Sequence, residues 1–208
     1  GLRVTLAFLG GQAEHPIVRA CRRAGATVWV FPRSRPHALY FSWSLLKTLP
    51  RLVRRASAVR IYSCWTFPVW WAAALARFHG VPYALAPHGC LDPVRRAYGR
   101  LRKGLAWVLF DRHVLRNAAW LHATAETEAK WLRDALGRRC PPIRVIPNGV
   151  DGALLDSVPE VPREKTFLYL GRLHPLKGLD LLTEAWARSG LAREGWRLVV
   201  AGPADGAE

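Results

Sequence analysis

Between Tyr169 and Gly178 the chain reads Tyr-Leu-Gly-Arg-Leu-His-Pro-Leu-Lys-Gly, a glycine-bracketed turn that follows an apolar run and precedes a helical pattern. Two cations, Arg172 and Lys177, lie inside it. In α/β sheets ligands bind beyond the carboxyl ends of strands, and a helix N-terminus offers free N–H groups and positive dipole to phosphate. Arg172, through forked hydrogen bonds, and Lys177, as a point charge, would neutralise a diphosphate there without a metal. An ordinary surface turn with two solvated charges has the same spacing, so the turn alone leaves both readings open. Gly10-Gly11, after the first apolar run, would let the backbone come close to a diphosphate or an acceptor, and a plain tight turn explains it equally well.

The elements that must position these turns are short apolar strands alternating with helices. Strands are expected at 4–9, 27–31, 59–63, 83–86, 120–123 and 143–146, and helices at 15–24, 44–56, 69–78, 93–116 and 126–136. Such alternation implies an α/β fold with a parallel sheet covered on both faces. The pattern then restarts: a Pro-Asn-Gly-Val-Asp turn at 147–151 and a linker at 157–163 precede a strand at 166–170, a helix at 179–188 and a strand at 197–201. This predicts a Rossmann-like domain over 1–146, an interdomain turn and linker over 147–163, and an incomplete second Rossmann-like domain over 164–208. Two strands and one helix cannot bury their own faces, and the chain has no Met even at position 1, so it reads as part of a longer polypeptide.

Four motifs occur in an order that resembles a known family. Gly171-Arg172-Leu173 followed by Lys177-Gly178-Leu179-Asp180-Leu181-Leu182 is similar to the diphosphate-sugar-binding segment of retaining GT-B glycosyltransferases of the large family 4, or group 1, type. Pro147-Asn148-Gly149-Val150-Asp151 resembles that family's interdomain turn, and Pro87-His88-Gly89-Cys90-Leu91-Asp92-Pro93 its His-Gly loop, with Cys90 where Met is common. His122-Ala123-Thr124-Ala125-Glu126-Thr127-Glu128-Ala129 resembles the segment opening the last helix of the first domain. The resemblance implies transfer of a sugar from a nucleotide diphosphate sugar to an acceptor hydroxyl with retention, in cell-surface polysaccharide or lipopolysaccharide synthesis. It assigns catalysis to His88, Arg172 and Lys177 and diphosphate binding to Gly10, Gly11, Gly171, Arg172, Lys177 and Gly178, with no metal or other cofactor. The family's pair of donor-binding glutamates has no counterpart before the sequence stops, so the fragment is expected to be inactive.

Charge narrows the partners. Lys and Arg number 31 against 15 Asp and Glu, a formal charge of +16, and the whole excess lies in residues 1–117. Lys47, Arg51, Arg54 and Arg55 recur at helical spacing opposite Leu45, Leu49 and Leu52, although Pro50 threatens that helix. Arg95, Arg96, Arg100, Arg102 and Lys103 crowd a helix start, where the dipole disfavours cations. Both clusters suit an anionic membrane surface or an acidic acceptor. This implies a cytoplasmic protein, peripheral on the inner face of the membrane, with a saccharide or lipid-linked acceptor.

Other classes fit less well. The longest apolar stretch, 65–78, is interrupted by Pro68 and Arg77 and falls short of the roughly 30 Å of a bilayer core. The four cysteines and seven histidines show no zinc-ligand spacing, which favours reduced thiols over a metal site or disulfide framework. A nucleic-acid-binding module is the rival suggested by charge and aromatics, but no such motif is present and no nucleic acid is expected as partner. A non-catalytic nucleotide-sugar-binding protein is the third reading. Asp92-Pro93 reads as helix cap and first turn, and Glu126 and Glu128 as acids favoured by a helix dipole.

Overall fold

Thr5–Leu9 (β1) and Thr27–Phe31 (β2) pair in parallel, joined by the helix Pro16–Arg23 (α1). Val59–Tyr62 (β3), Tyr83–Ala86 (β4), Trp120–Ala123 (β5) and Ile143–Val145 (β6) form a four-stranded parallel sheet in that order, with Ile61 opposite Leu85 and Leu121 opposite Ile143. The computed structural model describes residues 2–10, 13–97, 100–150, 152 and 162–203. Residues 1–148 and 149–208 form two compact units.

Parallel neighbours need long crossovers, and in the four-stranded sheet these are the helices Phe67–Phe78 (α3) and Glu126–Leu136 (α7) with a helical run between β4 and β5, while Trp43–Arg54 (α2) leads from β2 to β3. Strands β3 to β6 add in one direction, so right-handed crossovers place α3, that run and α7 on the same face of the sheet. Ile61, Leu85, Leu121 and Ala123 bury there against Leu45, Leu49 and Val53 of α2, Val69, Ala73 and Ala76 of α3, and Leu132 and Leu136 of α7. Leu85 and Leu121 are wholly buried, and truncating either to Ala would cost about 2–5 kcal/mol.

On the opposite face Ala84, Ala86 and His122 are buried, while the described residues of the edge strands, Arg60, Tyr62 and Arg144, are exposed. That face also carries Trp120. The β1–β2 pair forms its own sheet, and an apolar cavity of about 310 Å³ separates β1 from β3 and α2.

Two helices depart from their expected form. Helix α2 continues through Pro50, because Ser42 caps it (Leu45 N to Ser42 Oγ, 3.3 Å) and Leu49 and Val53 bury on either side of the proline. The helix expected over 93–116 is Pro93–Ala97 (α4) and Arg100–Ala106 (α5), then a π turn Trp107–Asp111 leading into Arg112–Arg116 (α6). A π turn inserts one extra residue and shifts the helix phase. The side chain this leaves facing the core is the carboxylate Asp111, only 1% exposed.

In the second unit Thr166–Leu170 (β7) and Arg197–Ala201 (β8) pair in parallel around the helix Leu179–Ser189 (α8). The strand ends nearly touch: a Cβ on Gly202 would stand 1.9 Å from Gly171 O. None of this unit's described residues is buried, and Phe167, Leu168, Leu170 and Leu181 are exposed. Among the described residues no helix is long and apolar enough to cross a membrane.

Candidate functional site

Strand β4 is buried along its whole length, and the chain leaves its carboxyl end through Pro87-His88-Gly89-Cys90. His88 (φ 52°) and Gly89 (φ 73°) are both left-handed, a conformation that disfavours a side chain at His88. The loop is held by Glu128, buried in the first turn of α7. Gly89 N donates to Glu128 Oε1 (2.6 Å), while Thr124 N and Oγ1 donate to Oε2 (2.7 and 2.8 Å). Burial alone would raise the Glu128 pKa, but these three hydrogen bonds and the nearby His88 bring it below the ordinary carboxylate value.

The His88 ring stacks on Tyr62 (centroids 5.5 Å apart, planes 8° apart) and meets His122 edge-on at 6.0 Å. Arg60 contacts His122 Nδ1 and can only donate, so the ring proton sits on Nε2 and is donated to Ile146 O at 2.7 Å. Below the loop lie two thiols. Cys90 Sγ is 3.8 Å from Ser63 Oγ. The hydrogen bond from the Cys64 thiol, opposed by burial and helped by Ser63 and Arg95, lowers the Cys90 pKa to about 6, whereas the same contact and burial push Cys64 up.

The loop after β3 is also strained, with Ser63 (φ 78°) and Trp65 (φ 65°) left-handed. Asp111 fixes it: Oδ1 accepts from Trp65 N (2.9 Å) and Oδ2 from Trp70 Nε1 (3.1 Å). Burial, only partly offset by these donors, raises the Asp111 pKa to about 6.

Strand-end loops held by buried carboxylates make a pre-organised edge, and the sequence around them is that of a known domain. The profile of the glycosyl transferase 4-like domain matches residues 1–149. The chain belongs to the glycosyl transferase 4-like family. No curated protein sequence matches it. Membership brings glycosyltransferase activity in general terms, with a nucleotide sugar and an acceptor as partners.

Within this glycosyltransferase chain the residues singled out from sequence fall into separate groups. His88 and Gly10 belong to the first unit; Gly10 takes φ 74° and donates to Phe31 O at 2.8 Å, while Gly11 lies outside the described residues. Gly171, Arg172, Lys177 and Gly178 belong to the second unit, with Arg172 and Lys177 exposed and Gly178 (φ 65°) capping α8. Lys47, Arg51, Arg54 and Arg55 are exposed on or just after α2. Arg95 reaches over Gly89, its guanidinium 3.9 Å from where a Cβ would stand. Arg96, Arg100 and Lys103 line a cleft with Trp65, and Arg102 is exposed outside it.

Sequence reasoning missed Glu128, Asp111, Tyr62 and the Cys64–Cys90 pair. Asp92 does cap its helix, accepting from Val94 N at 2.8 Å, and Glu126 is exposed, 3.9 Å from Arg133. Glu128 differs from Glu126 only in helix phase: the apolar period of Ala129, Leu132 and Leu136 puts it at the inner edge of α7. That phase is the signal that separates the two acids.

Proposed function

We propose that this glycosyltransferase-family chain transfers a sugar from a nucleotide diphosphate sugar to an acceptor hydroxyl with retained anomeric configuration, in cell-surface polysaccharide or lipopolysaccharide assembly. The observation that carries this reading is the His88–Gly89 loop at the carboxyl end of β4, left-handed and pinned by buried Glu128. A sugar leaving a diphosphate passes through an oxocarbenium-like state, and stabilising the departing anion is the largest task. Arg172, Lys177 and the N-terminus of α8 take that role, with Gly171 and Gly178 giving the turn its shape. Two cations and a helix end carry the diphosphate charge, so transfer is metal-independent. His88 contacts the donor sugar from the acceptor-side unit, with its ring orientation set by Tyr62.

The first unit acts as acceptor-side domain and the second as the opening of the donor side. The second unit's uncovered apolar strands call for further surface, so transfer is tested in the natural full-length polypeptide. There Arg172→Ala or Lys177→Ala lowers transfer by about tenfold or more, the loss of one charge-assisted bond to the diphosphate; unchanged transfer overturns the diphosphate assignment. The exposed basic face of α2 supports attachment to the inner face of an anionic membrane, at roughly 1 kcal/mol for each of Lys47, Arg51, Arg54 and Arg55 near the surface.

The sheet face opposite the helices favours a second reading, single-stranded nucleic-acid binding, because it places exposed Tyr62 and half-buried Trp120 beside Arg60 and Arg144. Against it, the arginines already occupy these rings: Arg60 Cζ lies 5.3 Å from each centroid and Arg144 Cζ 5.0 Å from that of Trp120. Filter binding with oligonucleotides decides: salt-sensitive retention lost in Trp120→Ala would favour nucleic acid, and no retention favours sugar transfer.

A further inference from the structure

The nine cations of the two basic clusters look alike in the sequence, but the structure separates three of them. Arg96, Arg100 and Lys103 converge with Trp65 on one concave cleft of about 390 Å³, within the range of small-molecule sites. Among the described residues lining it there is no carboxylate. The cleft stands where the loop after β3 meets the helix after the β4 loop, on the carboxyl edge of the sheet where α/β folds hold ligands.

The cleft is also built rather than incidental. Its floor, Trp65, sits in a left-handed conformation that its neighbours must maintain, and its N–H is fixed by buried Asp111. Trp107 packs beside Trp65 at 6.1 Å, and Arg96 lies over the Trp107 ring with Cζ 5.3 Å from the centroid. Trp107 and Asp111 are the first and last residues of the π turn, so one irregular turn positions both the aromatic floor and one cation. Lys103 Nζ donates to Arg95 O at 2.5 Å, which anchors a second cation at the rim. Three converging cations without a carboxylate repel one another at some cost to folding, a cost that a bound polyanion reverses. A flat leaflet would reach exposed Arg102 as readily as the walls of a cleft; a single phosphorylated group reaches the walls.

We propose that the cleft formed by Trp65, Arg96, Arg100 and Lys103 binds a phosphate or diphosphate group carried by the acceptor, with Trp65 packing against the carbon skeleton next to it. This rests on the sugar-transfer reading and deepens it: the acceptor is a phosphorylated molecule, recognised by residues of the first unit. The same chemistry occurs in a soluble phosphorylated acceptor and in a lipid headgroup.

The test titrates the full chain with inorganic pyrophosphate, farnesyl diphosphate and farnesol by calorimetry, and with phosphatidylglycerol–phosphatidylcholine vesicles by sedimentation. The expected result is binding of both diphosphates and none of farnesol. Arg100→Gln and Lys103→Gln each weaken pyrophosphate about tenfold, as the loss of one charge-assisted bond does, while exposed Arg19→Gln on α1 has no effect. Because pyrophosphate also suits the second unit's turn, binding must persist in an Arg172→Gln, Lys177→Gln double variant. Farnesyl diphosphate binding tighter than pyrophosphate, with a further loss in Trp65→Leu, assigns a lipid-linked source; equal binding assigns a soluble one. Pyrophosphate binding insensitive to Arg100 and Lys103, or vesicle binding without pyrophosphate binding, overturns the proposal. Cleft-dependent binding in a full-length protein that transfers no sugar would instead sink the sugar-transfer reading and leave the site standing.

Discussion

Replacing Glu128 by Gln tests whether one buried carboxylate holds the His88 loop. The carboxylate accepts from Gly89 N, Thr124 N and Thr124 Oγ1 at 2.6–2.8 Å and is 3% exposed. In Glu128→Gln the new side-chain carbonyl oxygen can still accept from both Thr124 donors, but the amide NH₂ then faces Gly89 N–H, donor against donor. One charge-assisted bond is lost and the other two become neutral ones, which together remove about 3 kcal/mol. Urea unfolding followed by tryptophan fluorescence reads this, since eight of the ten tryptophans lie in the first unit. At a slope of about 2 kcal/mol per molar, the midpoint should fall by about 1.5 M. Glu126→Gln is the control: its exposed pair with Arg133 at 3.9 Å is worth less than about 0.5 kcal/mol. Because the Glu128 pKa is depressed in the fold, the wild-type advantage is complete above pH 4.5 and is lost as pH falls through the lowered value. If Glu128→Gln matched Glu126→Gln at neutral pH, or if the gap between wild type and variant did not close in acid, the loop would be held by something else.

Asp111 titrates in the opposite sense. Its pKa rises from 3.8 to about 6 on folding, so the folded state holds more protons between those values and stability falls by about 3 kcal/mol as pH rises through that window. Thermal melts from pH 4 to 7 should show wild type losing stability relative to Asp111→Asn across that window, other titrating groups being common to both; an unchanged gap between the two would place the origin elsewhere. Cys90 should react with iodoacetamide with half-maximal rate near pH 6, read by peptide mass spectrometry. In Cys64→Ala the midpoint should move up towards the ordinary thiol value of 9, since the Cys64 hydrogen bond is the largest cause of the depression; an unmoved midpoint refutes the thiol pairing.

Most strands and helices could be read from the sequence, because their apolar runs have period 2 or 3.6 and end at glycine or proline. Tyr83–Ala86, Trp120–Ala123 and Glu126–Leu136 are observed over the residues the pattern predicts. What could not be read depends on tertiary contact. The π turn at Trp107–Asp111 leaves the apolar pattern almost unchanged, yet decides which side chain turns inward. Pro50 reads as a helix breaker until the burial of Leu49 and Val53 is known. The His88 loop announced itself through its glycine and neighbouring prolines, whereas its anchor, Glu128, is 40 positions later and meets it only when β4 and β5 pair. The same holds for the basic residues: Arg96, Arg100 and Lys103 are separated from Arg102 only by the direction each faces.

Retaining sugar transfer with His88 at the donor is tested most directly by the stereochemical course of the reaction in the full-length polypeptide, followed by proton NMR of the anomeric signal, in wild type and His88→Ala. The product should carry the donor's own anomeric configuration, and turnover should be at least about tenfold lower in His88→Ala with unfolding unchanged. A product of inverted configuration, or equal turnover by the two proteins, would contradict this mechanism.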